Sequence, residues 1–428
     1  MDLVRNSDKI PAHLPKRLTI SFPIWGLYDT DKGGKYHDLD QMMIEHKERG
    51  FNCIRLDDGA GLIHDREGNL RGPIPMGWAF GAYDSAVRQW GVIGEPGACD
   101  VHARLIELFE AAKRHGVYII LSSWYYLHTQ WLVKDDTLND GLYAISPMER
   151  FQAFAEFLHY IIKELEERGL DSQIALAEIF NETDGLYFGP CYGNRNGFTD
   201  EQIAEFRTKH EEAIEWLKAR HPHILFAYDV YTPNTDVRQI PENMQVFNFH
   251  YYFIWQWVYS QLETDRSFLL EDEKISKEGI KALCDKYWPG DGWCQRCWYY
   301  TNLDPEKLPQ AAEKLTSFLR EHVDEARERF QSGVANVQKI LENYPQALVV
   351  MGEGVSYSSG TSLVWEEYSE EYWMLVKEML ETYREIGLWG SVVRTCCGPE
   401  DPCWTVCPEK LLEMNRTFIG EDMGESCS

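Results

Sequence analysis

The chain has 428 residues, of which 44% are hydrophobic, so it is long enough to bury a large core. Its formal net charge of −27 argues against nucleic acid or an anionic membrane surface as a partner, because both require clustered Lys and Arg. The first residues contain no apolar signal region, and no stretch is long enough to span a bilayer, so we expect a soluble, cytoplasmic protein.

Helices and apolar strands alternate along the chain. Most predicted helices begin at a capping residue and end at a glycine, and they cover about 38–50, 100–116, 146–169, 199–220, 309–344 and 369–387. The eight predicted strands lie near 17–24, 52–56, 117–124, 174–180, 224–230, 245–250, 347–352 and 388–395.

Near-continuous apolar strands between amphipathic helices indicate a parallel sheet that is covered on both faces. Eight of them predict an α/β fold of the (β/α)₈ barrel type, formed as a single domain by residues 1–428. A doubly wound open sheet is the alternative, but no glycine-rich phosphate loop follows the first strand.

Residues 253–308, after the sixth strand, interrupt the alternation and form a predicted insertion. They are rich in aromatic residues: Trp255, Trp257, Tyr259, Trp288, Trp293, Trp298, Tyr299 and Tyr300. A connection at this place lies on the catalytic face of a barrel, so the insertion is either a lid or substrate wall, or a small subdomain whose aromatics form its own core.

Two buried strands deliver glutamates at their carboxyl ends. The run from Ile174 ends in Asn181 and Glu182, and the run from Ala347 leads to Glu353. Charges are rarely placed at the ends of buried strands without a reason. Strands four and seven approach each other across a barrel mouth, so the two carboxyl groups are expected to work as a pair on a glycosidic bond.

Further polar residues close the neighbouring strands. His250 and Tyr252 point the same way in an extended strand, so Tyr252 is placed to hydrogen-bond Glu353. Arg55 ends the second strand, where it either keeps Glu353 anionic or pairs with Glu178.

Three more residues are weaker candidates for sugar contacts. Asp58, which follows Asp57 after strand two, either binds sugar hydroxyls or caps its loop. Trp25 ends strand one, where it forms the floor of the pocket or packs in the core, and Trp124 ends strand three.

These residues resemble those of glycoside hydrolase clan A, and most closely the family 5 cellulase-like enzymes. The matching segments are Gly50-Phe51-Asn52-Cys53-Ile54-Arg55-Leu56, Glu178-Ile179-Phe180-Asn181-Glu182, His250-Tyr251-Tyr252 and Met351-Gly352-Glu353. The resemblance implies a retaining β-glycosidase without metal or cofactor, and the expected cytoplasmic location and the bulky insertion beside the site favour short oligosaccharides or aryl glycosides as substrates. By the resemblance, Glu182 is the acid/base and Glu353 the nucleophile, while Arg55, Asn181, His250 and Tyr252 line the −1 subsite.

The chain departs from that family pattern at three places. Thr183 replaces the usual proline after Asn-Glu, the third strand ends in Ser122-Ser123-Trp124 without a histidine, and strand eight ends in Arg394-Thr395-Cys396-Cys397 without a tryptophan. Trp404 and Trp124 are the candidates to replace that tryptophan.

Two other functions stay open from the sequence. One is a barrel that binds sugar without cleaving it, and the other is a metal-dependent hydrolase or isomerase with Glu182, His250 and Glu353 as ligands. Separately, four thiolates from two loops could form a structural zinc site, the alternative being free thiols; the cysteines concerned are Cys294, Cys297, Cys396, Cys397, Cys403 and Cys407.

Overall fold

Eight parallel strands close into a barrel. The computed structural model describes residues 4–23, 26–28, 34–77, 97–183, 199–284, 291–356 and 363–421, apart from the side chains at 127, 128, 131, 281–284, 291–294 and 297. The barrel strands are β1 Leu18–Ser21, β2 Cys53–Asp57, β3 Tyr118–Ser122, β4 Ile174–Glu178, β5 Phe226–Val230, β6 Val246–Tyr251, β7 Leu348–Gly354 and β8 Gly390–Val392. Each pairs with its neighbour in chain order, and β8 pairs with β1. The predicted (β/α)₈ barrel is confirmed.

Helices surround the barrel and fill its connections. The α-helices in the described ranges are Leu39–Glu48, Val101–His115, Gln130–Leu132, Asp136–Tyr143, Pro147–Glu167, Asp200–Lys218, Trp255–Glu263, Lys277–Cys284, Asp291–Thr301, Leu308–Glu321, Val323–Asn343, Glu370–Glu385, Pro402–Val406 and Pro408–Ile419. Two short antiparallel strands, Ile74–Met76 and Gly97–Cys99, lie outside the barrel.

The helix boundaries follow from capping. The side chain of Asp100 accepts the backbone N–H of Ala103 at 3.0 Å, and Thr199 forms a reciprocal capping box with Gln202. The single helical stretch predicted over 309–344 is wrong. Two helices occupy it, because His322 leaves the helical region with φ −125° and ψ 26°.

Most aromatic residues of the insertion whose side chains are described lie in the core, and Trp257 and Phe268 are partly buried against it. Trp298, Tyr299 and Tyr300 are almost completely buried, and the indole N–H of Trp365, which follows β7, donates to the Tyr259 hydroxyl at 2.9 Å. The insertion therefore packs both within itself and against the segment that follows β7, and neither of its two predicted roles is tested by these contacts. Trp288 and the side chain of Trp293 lie outside the described residues, and a lid role for the insertion stays a prediction.

None of the helices in the described ranges combines the length and apolar character needed to cross a bilayer.

Candidate active site

The carboxyl ends of four barrel strands bring the predicted catalytic residues together. Arg55 lies in β2, and Asn181 and Glu182 follow β4. His250 and Glu353 each lie one residue before the end of their strands, β6 and β7. In the ladder between β6 and β7, His250 is the register partner of Glu353. Parallel strands of a barrel all end at one face, which is why residues so distant in sequence meet here.

Glu353 is held by a cation and a hydroxyl. Arg55 Nη1 donates to Glu353 Oε1 at 2.7 Å, and the Tyr252 hydroxyl donates to Oε2. Arg55 also donates to Glu178 through Nε at 3.0 Å, so both partners considered from the sequence are present. Only 4% of Glu353 is exposed. Both oxygens of this carboxylate therefore have a donor that fixes their orientation.

Glu182 faces His250 across the mouth. Its Oε1 lies 2.8 Å from His250 Nδ1, and one of its oxygens lies within 4.8 Å of one oxygen of Glu353. The backbone of Glu182 is left-handed, with φ 50°. Burial lowers the pKa of His250 to about 4, so its ring is neutral at pH 7.

Two residues of the site were missed from the sequence. Asp229 in β5 accepts from Arg55 Nη2 at 2.9 Å and from Asn248 Nδ2 at 2.6 Å, and Asn248 also donates to Glu178 at 2.9 Å. Burial raises the pKa of Asp229 to about 6. A carboxylate in an otherwise apolar strand is the signal that was available in the sequence for Asp229.

Two of the departures from the family pattern have structural explanations. Thr183 donates from its hydroxyl to the Asp229 carbonyl at 2.7 Å, so it ties the Glu182 segment to β5. The ring of Trp124 lies under the Arg55 guanidinium, 4.4 Å from its central carbon, and covers that cation.

The remaining candidates are placed differently. Trp404 stacks on Phe51 and bonds to Glu45 of the first helix, so its proposed replacement of the strand-eight tryptophan is wrong. Asp58 accepts the Ala60 N–H at 2.7 Å, which is the loop-capping role. Trp25 lies outside the described residues.

Two groups of side chains have the spacing of metal ligands. The first is Glu182, His250 and Glu353, where the Arg55 guanidinium already contacts Glu353. The second is Glu367, Asp401 and Cys403, and Arg394 contacts each of them at 2.9–3.2 Å. A cation in either group would have to share its ligands with an arginine.

The zinc prediction for the cysteines stays untested. Cys397, Cys403 and Cys407 are buried free thiols, Cys396 is a partly buried one, and burial raises the pKa of the Cys403 thiol. The side chains of Cys294 and Cys297 lie outside the described residues.

Comparison with known proteins identifies a family that matches the chain and solved structures with a similar fold. The model of the family called cellulase-like, described as sugar-binding cellulase-like, matches residues 23–283, more than half of the chain. No curated protein matches. Among solved structures, a presumed glycoside hydrolase from Parabacteroides distasonis ATCC 8503 is similar at TM-score 0.66 and 18% identity, over 94% of this chain and 93% of that one.

A second solved structure is similar at a lower level. The broad-specificity GH5-4 endoglucanase from an uncultured bacterium has a TM-score of 0.49 at 9% identity, over 97% of this chain and 96% of that one. At these identities the solved structures bear on the fold alone.

Proposed function

The chain belongs to the cellulase-like family of glycoside hydrolases, and on that premise we propose that it is a retaining β-glycosidase acting by double displacement. The observation that carries the proposal is the short separation of its two carboxyl groups, within 4.8 Å between one oxygen of Glu182 and one of Glu353. Retaining enzymes hold the pair about 5–5.5 Å apart, whereas inverting enzymes leave about 6.5–9.5 Å for a water.

In the first step Glu353 attacks the anomeric carbon. Its two oxygens are oriented by hydrogen bonds from Arg55 and Tyr252. As the glycosyl–enzyme bond forms, the bond to the leaving oxygen breaks and that oxygen takes a proton from Glu182. Glu182 then removes a proton from the water that hydrolyses the intermediate.

The charges around the mouth suit this division of roles. The Arg55 guanidinium contacts three carboxylates, those of Glu178, Asp229 and Glu353. Crowded carboxylates with a single cation favour retention of a proton on a fourth carboxyl group nearby. Glu182 is that fourth group, which supports its assignment as the acid.

Short substrates are part of the proposal. The insertion begins directly after Tyr252, whose ring centroid lies 5.4 Å from that of Trp255. A bulky segment at this position restricts the open length of a groove, which favours short oligosaccharides or aryl glycosides. Carbohydrate as the binding partner and a cytoplasmic location stay predictions.

The test is hydrolysis of a panel of aryl β-glycosides that differ in the sugar. We expect the purified protein to turn over at least one, and Glu353→Gln to lower kcat/KM by about 10⁴-fold or more, because loss of a nucleophile is felt on that scale in other hydrolases. Glu271→Gln, at an exposed carboxyl of the insertion, is the matched control and should keep full activity.

Two results would contradict the proposal. Tight binding of a sugar without turnover of any substrate would favour the sugar-binding alternative, which the description of the family also names. Loss of turnover on chelation would favour the metal-dependent alternative, which rests on the metal-ligand spacing of Glu182, His250 and Glu353.

A further inference from the structure

Asp229 is a buried carboxylate of the site that does not belong to the predicted catalytic pair. It is completely buried. Its Oδ1 accepts the backbone N–H of Glu182 at 2.6 Å. Its Oδ2 accepts from Arg55 and Asn248, and it also lies 2.9 Å from His250 Nε2. One carboxylate therefore contacts both the backbone of Glu182 and the histidine that faces the Glu182 side chain.

The first contact fixes where the Glu182 side chain points. Residues other than glycine seldom adopt a positive φ, and where they do, the surroundings must hold them there. Here the Glu182 amide is held by the Asp229 side chain, and the next amide, of Thr183, donates to the Asp229 carbonyl at 3.2 Å. The side chain and the backbone carbonyl of Asp229 thus both stabilise the turn that carries Glu182, the proposed acid.

The second contact bears on the tautomer of His250. A neutral imidazole has one N–H and one lone pair. Among the described residues, Nε2 faces two carboxylates, Asp229 at 2.9 Å and Glu353 at 3.7 Å, whereas Nδ1 faces that of Glu182 at 2.8 Å. Within the described residues Nε2 has no hydrogen-bond partner, so its contact with Asp229 is mainly electrostatic.

The electrostatics of that arrangement select one proton distribution. A proton on Nε2 is attracted by both carboxylates, and the lone pair on Nδ1 then requires a donor. Glu182 can supply one only when it is protonated. The other charged groups around the ring, Arg55 and Glu178, lie on β2 and β4 and act in opposite directions on a proton there.

We propose that Asp229 is a positioning residue for the acid/base, holding the backbone of Glu182 and biasing His250 toward the tautomer whose Nδ1 accepts a hydrogen bond from protonated Glu182. The inference rests on the proposed function. It adds Asp229 to the catalytic pair as a residue that acts through Glu182. Arg55 and Tyr252 serve the nucleophile, and Asp229 with His250 serves the acid.

Dependence on the leaving group tests this role. Proton donation is needed for poor leaving groups and hardly at all for good ones, and it contributes about 10²–10⁴-fold. With Asp229→Asn we therefore expect kcat/KM to fall about 100-fold or more on a 4-methoxyphenyl glycoside and less than about tenfold on the 2,4-dinitrophenyl glycoside. Glu182→Gln should show the same split.

Glu178→Gln is the matched control. Glu178 shares the burial of Asp229 and its hydrogen bonds with Arg55 and Asn248, whereas the contacts with the Glu182 amide and with His250 Nε2 are those of Asp229. Replacement of Glu178 should lower the rates on both substrates by similar factors. If Asp229→Asn does not fold, as judged by thermal unfolding, His250→Gln interrupts the same contacts and should show the leaving-group split.

The outcomes separate the two proposals. Equal loss on both leaving groups in Asp229→Asn, or in His250→Gln where the first variant does not fold, would overturn the positioning role while the active wild type upholds the glycosidase. A wild type inactive on the entire panel would instead overturn the proposed function itself.

Discussion

Arg55 supplies the positive charge about which the carboxylates of the site are arranged. Its side chain is fully buried and touches Glu178, Asp229 and Glu353. Burying a guanidinium costs several kcal/mol of hydration, and this cost is offset only when its donors are satisfied by well-placed acceptors. Removing it would leave three buried carboxylates without a cation. A loss of activity in an Arg55 variant would therefore have two causes, a less stable fold and a nucleophile that is no longer oriented.

His210 is a second buried ionisable residue, far from the chemistry. Its ring stacks on Phe151 with centroids 4.7 Å apart, and in the described part of the chain neither ring nitrogen has a hydrogen-bond partner. Burial lowers its pKa to about 3. The unfolded chain takes up a proton below about pH 6.5, whereas the folded one does so only near pH 3, so stability is lost as the pH falls through this range.

We therefore expect His210→Phe to protect the protein against acid. Relative to wild type, its free energy of unfolding should rise by about 2 kcal/mol more at pH 5 than at pH 8, since any packing cost of the larger ring is the same at both values. Urea unfolding at the two pH values measures the difference. His13→Phe, at an exposed histidine, is the control, and an identical effect of His210→Phe at both pH values would contradict the expectation.

At the scale of elements, one helix is seated directly on a strand that carries the site. The helix Val323–Asn343 meets β6 at Gly333, where an added Cβ would lie 2.1 Å from the Tyr251 ring. The Tyr251 hydroxyl donates to the Arg329 carbonyl of the same helix. Tyr251 faces outward, and its neighbours His250 and Tyr252 face the mouth. The position of the helix Val323–Asn343 is therefore coupled to β6, the strand that carries His250 and leads into Tyr252.

Gly333→Ala should consequently destabilise the protein. In an open helix a change from glycine to alanine stabilises by about 0.5–1 kcal/mol, but forcing a Cβ into the Tyr251 ring costs about 1–3 kcal/mol, so the clash prevails. Gly141→Ala is the matched control, because nothing lies within 4 Å of the added Cβ and the helical gain should remain. Denaturant unfolding measures the free energy of unfolding of both variants. If Gly333→Ala stabilises the protein as much as Gly141→Ala, the Tyr251 ring moves aside freely and the expectation is wrong.

At the scale of the whole molecule, closure of the barrel assembles residues that are distant in sequence. Period and capping were enough to predict the eight strands and the glutamate pair, because both depend on local pattern. The roles of Asp229 and Asn248 were not predictable from pattern alone. A shift of one residue in register turns a strand side chain from the barrel interior to the helix layer, and short apolar strands do not reveal that register.

The errors have a similar origin. Trp404 was considered for the site because it follows strand eight, but the chain turns away and packs it on Phe51 and on the first helix. The break at His322 was missed because the apolar period continues through it from Leu319 to Ala326. The path of a loop and a break at one residue depend on tertiary packing. The position of a carboxylate at the end of an apolar strand can be read from the local sequence.

Stereochemistry is the most direct measurement of the central claim. Hydrolysis of an activated aryl β-glycoside, followed by proton NMR from the first minutes, identifies the anomer released before mutarotation. Double displacement through Glu353 predicts the β-anomer first, with the α-anomer appearing only as the sugar equilibrates. Initial release of the α-anomer would mean single displacement by water and would contradict the assignment of Glu353 as nucleophile.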